Sequence, residues 1–251
     1  MSEQPINKLD EITSKYDPSS PEKDFDYWLL LFDFEVLKKF LIGEKVIELG
    51  CGRGLLTERL AKVSKELIIV EGSKKNLECV KNKLCNYKNI KFYHSLWQEF
   101  EYSYKDISDV VFFSGLEHVD KDTGYLILKK IKTWLKPDGR LHIVVPNAYS
   151  LHRRVAYYMG IIKDVHEFSE RDKLLGHKRV YDKETLFREL RECEYKIFHW
   201  EGIFLKPLPN SFMMNLDEKI IRGFYEISKE LPDYCAHIYV CATINTKEEV
   251  I

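Results

Sequence analysis

The stretch Val46-Ile47-Glu48-Leu49-Gly50-Cys51-Gly52-Arg53-Gly54 constrains this chain more than any other. A short apolar run breaks into alternating glycines and continues as Leu55-Leu56-Thr57-Glu58-Arg59-Leu60-Ala61, which reads as an amphipathic helix. A buried strand turning sharply into a helix is the ligand-binding geometry of open α/β sheets, where small molecules sit beyond the carboxyl ends of the strands. The glycines let backbone pass close to a ligand and allow dihedrals that a side chain forbids.

Their spacing narrows the ligand. The dinucleotide fingerprint needs glycine at its first, third and sixth positions, so that a pyrophosphate can rest on the helix N-terminus. Here the sixth position is Leu55, and the glycines fall as G-x-G-x-G. Glu48 stands two residues ahead of the first glycine, where a carboxylate repels a pyrophosphate but suits the ammonium of an amino-acid moiety. The pattern fits S-adenosylmethionine (SAM) better than NAD.

Glu48 to Gly54 resembles the first motif of class I SAM-dependent methyltransferases. Glu71, ending the apolar run Leu67-Ile68-Ile69-Val70, resembles the acid that this family places on the ribose hydroxyls. Ser114-Gly115-Leu116-Glu117-His118-Val119 resembles its fourth motif, and Leu135-Lys136-Pro137-Asp138-Gly139-Arg140-Leu141 its pre-strand turn. These motifs, in the right order between Val46 and Val145, are far more specific together than the glycine loop alone. The resemblance implies an EC 2.1.1 methyltransferase with SAM as cofactor, held by Glu48, Gly50, Cys51, Gly52 and Gly54 on the loop. Glu71, Gly72 and Ser73 follow the second strand, Leu96 and Trp97 the third, and Ser114 the fourth. The aspartate usual after the third strand is replaced by Ser95-Leu96-Trp97-Gln98, a departure at the adenine contact. Ser95 can accept a hydrogen bond there, and Trp97 can cover the ring.

Strands alternate with helices along the chain, which argues for a parallel sheet with consecutive strand ends on one rim. The expected fold is α/β: a Rossmann-like, seven-stranded, mostly parallel sheet with helices on both faces. Residues 1–43 are expected to form an N-terminal helical cap, and 44–251 the SAM-binding methyltransferase domain, with an acceptor-side insertion at 146–181 after the fifth strand. Residues 1–18 read as loose or lightly docked, and Ser19-Ser20-Pro21-Glu22 as a helix start. Phe25, Trp28, Leu29, Phe32, Val36, Leu37 and Phe40 then recur at helical spacing. Pro137-Asp138-Gly139 reads as a turn before a strand over 141–145, and 214–231 as one helix.

Acceptor groups should come from the strand-end rim. Arg153, Arg154, Lys178, Arg179 and Lys206 are candidates to bind an anion, because guanidinium and ammonium groups match carboxylate and phosphate. Plain solvated surface is the alternative for Arg153, Arg154 and the His177-Lys178-Arg179 loop. His118 leads as general base, since an unperturbed pKa of about 6.5 suits proton removal near neutrality; shaping the cofactor pocket is its alternative role. His152 and His177 follow, and His142, within a strand, is expected in the core or in solvent. The resemblance places Tyr27 or Trp28 near the methyl group. Pro146 to Arg153 (Tyr149 included), Gly176 to Tyr181 and Gly202 to Leu208 resemble a bacterial small-molecule subgroup that includes natural-product, cell-surface sugar and phosphonate O-methyltransferases. Lys206 and Arg179 join His118 as expected catalytic residues.

A net charge of -1 gives no push towards nucleic acid or an anionic membrane. No apolar run approaches the ~18 residues of a membrane span. The start, Met1-Ser2-Glu3-Gln4-Pro5, lacks the basic and apolar parts of a signal peptide, so a cytoplasmic location is expected. Six cysteines without a C-x-x-C pair read as reduced thiols, and no histidine or cysteine spacing suggests a metal site. The leading expectation is O-methylation of a small, anionic (phosphonate, phosphoramidate or carboxylate) or sugar-linked metabolite. Methylation of an amine or neutral ring hydroxyl, and a non-catalytic SAM-binding module, are the alternatives. No oligomeric state is implied.

Overall fold

The apolar run before the glycines lies in the middle of a sheet. The structure, a computed structural model, describes residues 3–245. Residues 1–2 and 246–251, the outer ends of the expected domain bounds, lie outside it. The strands are β1 (Lys45–Leu49), β2 (Glu66–Glu71), β3 (Ile90–His94), β4 (Ile107–Phe113), β5 (Leu135–Pro146), β6 (Tyr195–Ile203) and β7 (His237–Ile244). They form one seven-stranded sheet in the order β3-β2-β1-β4-β5-β7-β6. All neighbouring pairs are parallel except those made by β7, which runs antiparallel between β5 and β6. Chain order reverses at β1 and β4, so their carboxyl ends part at the crevice where open α/β sheets bind ligands.

The helices are α1 (Glu3–Ser14), α2 (Asp26–Leu37), α3 (Leu55–Val63), α4 (Lys74–Lys83), α5 (Lys121–Trp134), α6 (Leu151–Tyr158), α7 (Glu170–Leu174), α8 (Lys183–Glu192), α9 (Asn210–Met213) and α10 (Glu218–Ile227). They cover both faces, and each face has its own core. On one face Leu29, Phe32 and Val36 of α2 join Leu56 and Leu60 of α3, Leu77 and Val80 of α4, and Ile221 of α10. On the other, Ile127, Leu128, Ile131 and Trp134 of α5 join Leu186 and Leu190 of α8. Each fully buried side chain of this size contributes roughly 1.5–3 kcal/mol of transfer free energy. His142 belongs to the interior: its Nε2 lies 3.0 Å from Asp109 and its Nδ1 2.9 Å from the Tyr239 hydroxyl. Asp109 also accepts from the Ile42 and Gly43 amides, which fixes the link from α2 into β1.

One local expectation is sharpened and three change. Residues 3–14 are a docked helix, with Asp10 accepting from Ser73 Oγ and Arg53 donating to the Thr13 and Tyr16 carbonyls. Helix α2 starts at Asp26 rather than near Ser20, because Asp17 and Asp24 accept from backbone amides two residues on, a local turn that competes with helix. The Pro137-Asp138-Gly139 segment is absorbed into β5 beside a register shift between Ile107 and Asp109. The span 214–231 is not one helix, since Asp217 caps a new start at α10. The chain between β5 and α8 leaves and returns at one rung, where Asn147 bridges Tyr181.

Candidate active site

The loop between β1 and α3 takes the backbone shape its glycines allow. Gly50, Gly52 and Gly54 have φ of +88°, +48° and +78°, in the left-handed region that side chains disfavour. A Cβ on Gly50 would stand 3.0 Å from the Trp97 ring, so the indole lies directly on the loop. The neighbouring strand supplies the loop's anchor. Glu71 accepts from Cys51 N at 3.0 Å and from Ser73 N at 2.7 Å, tying the β1 and β2 turns through one carboxylate. The Cys51 thiol donates to the same carboxylate at 3.5 Å. Burial raises the Glu71 pKa.

Glu48 has no such support. It is 1% exposed, and neither carboxyl oxygen has a hydrogen-bond partner. Burial pushes its pKa up to about 8, with the nearby Thr57 hydroxyl opposing and the Glu71 charge adding to the rise. An unsatisfied buried polar group costs about 1–3 kcal/mol, so this orphan at the loop suits a cationic ligand group. Ser73 caps α4 through Asn76 N, and Leu96 lies against Gly72. Trp97 Nε1 is another buried atom without a partner. These groups fit SAM: a carboxylate for an ammonium, a second for hydroxyls, a glycine backbone loop open to close approach and a flat aromatic cover.

The second half of the site begins where β4 ends. Ser114 has φ +47°, a strained value for a side-chain-bearing residue, and its amide is held by the Val144 carbonyl. Gly115 is required next, since a Cβ there would overlap the Phe112 ring at 2.0 Å. A short 3₁₀ turn, Leu116–His118, then presents Glu117 and His118. The Glu117 carbonyl accepts from both the Lys178 and Arg179 amides, which brings His177 alongside. The His118 and His177 rings meet edge to face at 4.8 Å. Desolvation, helped by His177, pushes His118 down to about 3, and burial pushes Glu117 up to about 6 against the opposing His177 charge. His177 Nδ1 lies 3.1 Å from Asp172. Burial works against ionisation of Asp172, but hydrogen bonds from His177, Ser169 and Arg153 outweigh it and hold its pKa below the usual range.

The basic residues of the rim are mostly paired. Arg179 donates to both Glu189 oxygens at 3.0 Å and to the Val119 and Leu116 carbonyls. Arg153 donates to Asp172 and to the Val165 and Glu167 carbonyls. Lys206 is 6% exposed and donates to Asn210, and burial pushes its pKa down to about 8 against the Asp26 charge. Lys178 is exposed, 3.9 Å from Asp120. Tyr149 and Arg154 line a separate cavity of about 250 Å³ with Trp200 and Tyr234. The His152 amide is held by the Lys206 carbonyl while its Nδ1 has no partner, and Tyr27 packs edge-on against Trp28.

Two groups near the rim went unnoticed in the sequence. Asp24 and Asp26 together accept from Asn210 and from Arg171. Asp33 faces His237 Nδ1 at 3.0 Å. Asp33 had a signal: it is an acid on the apolar stripe between Leu29 and Val36, and it is fully buried.

Residues 46–139 match the family described as a methyltransferase domain. No curated protein matches the chain. Among solved structures, a SAM-dependent methyltransferase from Mesorhizobium loti aligns with a TM-score of 0.60 at 15% identity, over 84% of this chain and 97% of its own. A SAM-dependent methyltransferase from Archaeoglobus fulgidus aligns with a TM-score of 0.59 at 19% identity, over 86% and 92%. The DhpI–SAH complex aligns with a TM-score of 0.64 at 13% identity, over 96% of each chain. At such identities the structures speak for the fold, while the family match falls on the glycine loop, Glu71 and the β4 turn. With loop, acids, strand order and family match in agreement, residues 46–139 form a methyltransferase domain, the chain has the fold of SAM-dependent methyltransferases, and its methyl donor is SAM.

Proposed function

We propose that the protein transfers the SAM methyl group to an oxygen of a small anionic or sugar-linked metabolite held beyond the ends of β4, β5 and β6. The observation that carries this reading is the roof over the rim. Arg171 of α7 reaches Asp24 and Asp26 ahead of and within α2, Ile12 of α1 lies against Gly176, and the His152 amide binds the Lys206 carbonyl. Three segments laced over the strand ends leave the acceptor side suited to a metabolite rather than a polymer, and the balanced charge agrees.

In this reading residues 1–43 cap the donor, and 44–251 carry the site with the insertion at 146–181. Glu48 takes the SAM ammonium, Gly50 to Gly54 the methionine end, Glu71 the ribose hydroxyls, and Gly72, Ser73, Leu96 and Trp97 the adenosine. Ser114 borders the sulfonium. The chemistry is a displacement: the acceptor oxygen forms a bond to the methyl carbon as the carbon–sulfur bond breaks. The electron pair returns to sulfur, and a hydroxyl proton, where present, leaves to solvent. Alignment behind the methyl is the protein's main task. Arg153 and Arg179 are saturated by their partners, so Lys206 is the cation proposed to meet the acceptor. A panel of phosphonates, carboxylates, sugar derivatives and amines, assayed for SAH release with the methylated product identified, tests this. Turnover on oxygen acceptors is expected; methylation of amines alone would discard it.

A further inference from the structure

We propose that Glu117, His118 and His177 bind one divalent first-row transition-metal ion at the acceptor end of the methyl-transfer site. Their ligand atoms lie within 4.8 Å of one another among the described residues. Glu117 and His118 leave the end of β4 on one turn, and His177 comes from the far end of the insertion, so no spacing in the sequence announces the set. Backbone holds them together: the Lys178 and Arg179 amides both donate to the Glu117 carbonyl, at 2.7 and 3.2 Å.

Three features point to a ligand rather than a chance cluster. Glu117 is 1% exposed, and both its carboxyl oxygens are buried without a hydrogen-bond partner. A buried carboxylate in that state needs a cation or a donor. Each histidine has one ring nitrogen already fixed. His177 Nδ1 faces Asp172 at 3.1 Å, and a His118 ring nitrogen faces the Leu175 carbonyl. The other nitrogen of each ring is left to act as an acceptor, the arrangement by which carboxylates and carbonyls orient metal-binding histidines. Asp172 is itself steadied by Arg153 Nη1 at 2.9 Å and by Ser169 Oγ at 2.7 Å. Finally, Glu117, Asp172 and His177 line a small cavity of about 10 Å³ together with Arg153 and Arg179, whose charges are already engaged by Asp172 and Glu189.

Two imidazoles and one carboxylate suit Zn²⁺, Mn²⁺, Co²⁺ or Fe²⁺ better than Mg²⁺, which prefers an all-oxygen shell. Three protein ligands leave a position open, as in metal sites that act on a substrate. Closing the set around an ion needs about an ångström of movement by each side chain, because ligands about 2.1 Å from a tetrahedral metal stand about 3.4 Å apart. The consequence, which rests on the proposed oxygen acceptor, is that the ion would hold the acceptor oxygen and favour its deprotonated form. That supplies the positive charge which Arg153 and Arg179, committed to their own partners, do not.

The test uses the full-length protein, stripped with a chelator and titrated with Co²⁺ alone. One Co²⁺ per chain is expected, with d–d absorption and displacement by Zn²⁺ but not by Mg²⁺. His177→Ala and Glu117→Gln should each weaken Co²⁺ binding at least tenfold while SAM affinity by calorimetry stays within about threefold. Asp172→Asn, at a positioning residue, should weaken it about 10–100-fold. If Glu117→Gln does not fold, His177→Ala on the half-exposed loop answers the same question. A wild-type protein that binds SAM but takes up no Co²⁺ overturns the site, as does uptake unchanged in His177→Ala. Failure of the wild type to bind SAM strikes the proposed function and not the metal site.

Discussion

Glu48, proposed to hold the donor's ammonium, sets that role against the stability of the free protein. Its carboxyl is buried without a partner, and its folded pKa of about 8 lies above the ordinary 4.5. A carboxyl raised in this way stabilises the fold fully below the unfolded value and loses that contribution as pH rises from about 4.5 to 8. Glu48→Gln, which cannot ionise, should therefore gain stability over the wild type as pH rises from 5 to 8, in urea titrations. The same variant should bind SAM at least tenfold more weakly at pH 7.5, since it lacks the anion for the ammonium, and a charge-assisted bond is worth about 1.5–3 kcal/mol. A variant that is both less stable at pH 8 and unchanged in SAM affinity would remove Glu48 from the donor site. Glu48 is legible in the sequence as a candidate because it sits at a fixed offset from the glycines. The rim could not. Arg153 and Arg179 stand out as free cations in a sequence, but their partners, Asp172 and Glu189, are chosen by folding.

At the scale of elements, β1, α3, β2 and β4 were legible because strands buried on both faces read as unbroken apolar runs between turn residues. Helix α1 was not. Its composition is polar, and the side chains that dock it, Leu9, Asp10 and Ile12, find Gly72, Ser73 and Gly176 far along the chain. Those contacts place α1 across the turn that follows Glu71. Removing residues 1–15 should leave a folded protein whose SAM dissociates at least about tenfold faster, measured by stopped-flow fluorescence of Trp97 and its neighbours. Unchanged dissociation would mean that α1 is a surface helix and not a cap. The start of α2 and the break before α10 were misplaced for one reason: aspartates that bond nearby amides redirect the backbone where apolar periodicity alone predicts continuity.

Across the whole molecule, the sheet separates two cores, and one of them reaches the rim where the acceptor is proposed to bind. Phe32 of α2 stacks between Phe204 at 5.5 Å and Tyr225 at 4.2 Å, joining the N-terminal segment to the end of β6 and to α10. Phe32→Ala should cost about 3–5 kcal/mol in denaturant unfolding. It should also raise the acceptor KM more than the SAM Kd, because Asp33 and Lys206 sit on the elements it joins. A loss below about 1 kcal/mol would show that the segment is held by its polar contacts instead. Among the described residues, no helix is long and apolar enough to cross a membrane. The order of strands was less legible than their existence, since β7 enters between β5 and β6 only through pairing across the chain.

The single rung between Asn147 and Tyr181 has an evolutionary reading. The segment proposed to roof the acceptor departs and rejoins within one residue pair, so its length and sequence can drift without passing a shift of register to β5 or α8. Under the proposed function, selection could then rewrite what is methylated while leaving the proposed donor half untouched. A graft of a different roof between these two residues would be the laboratory form of the same exchange.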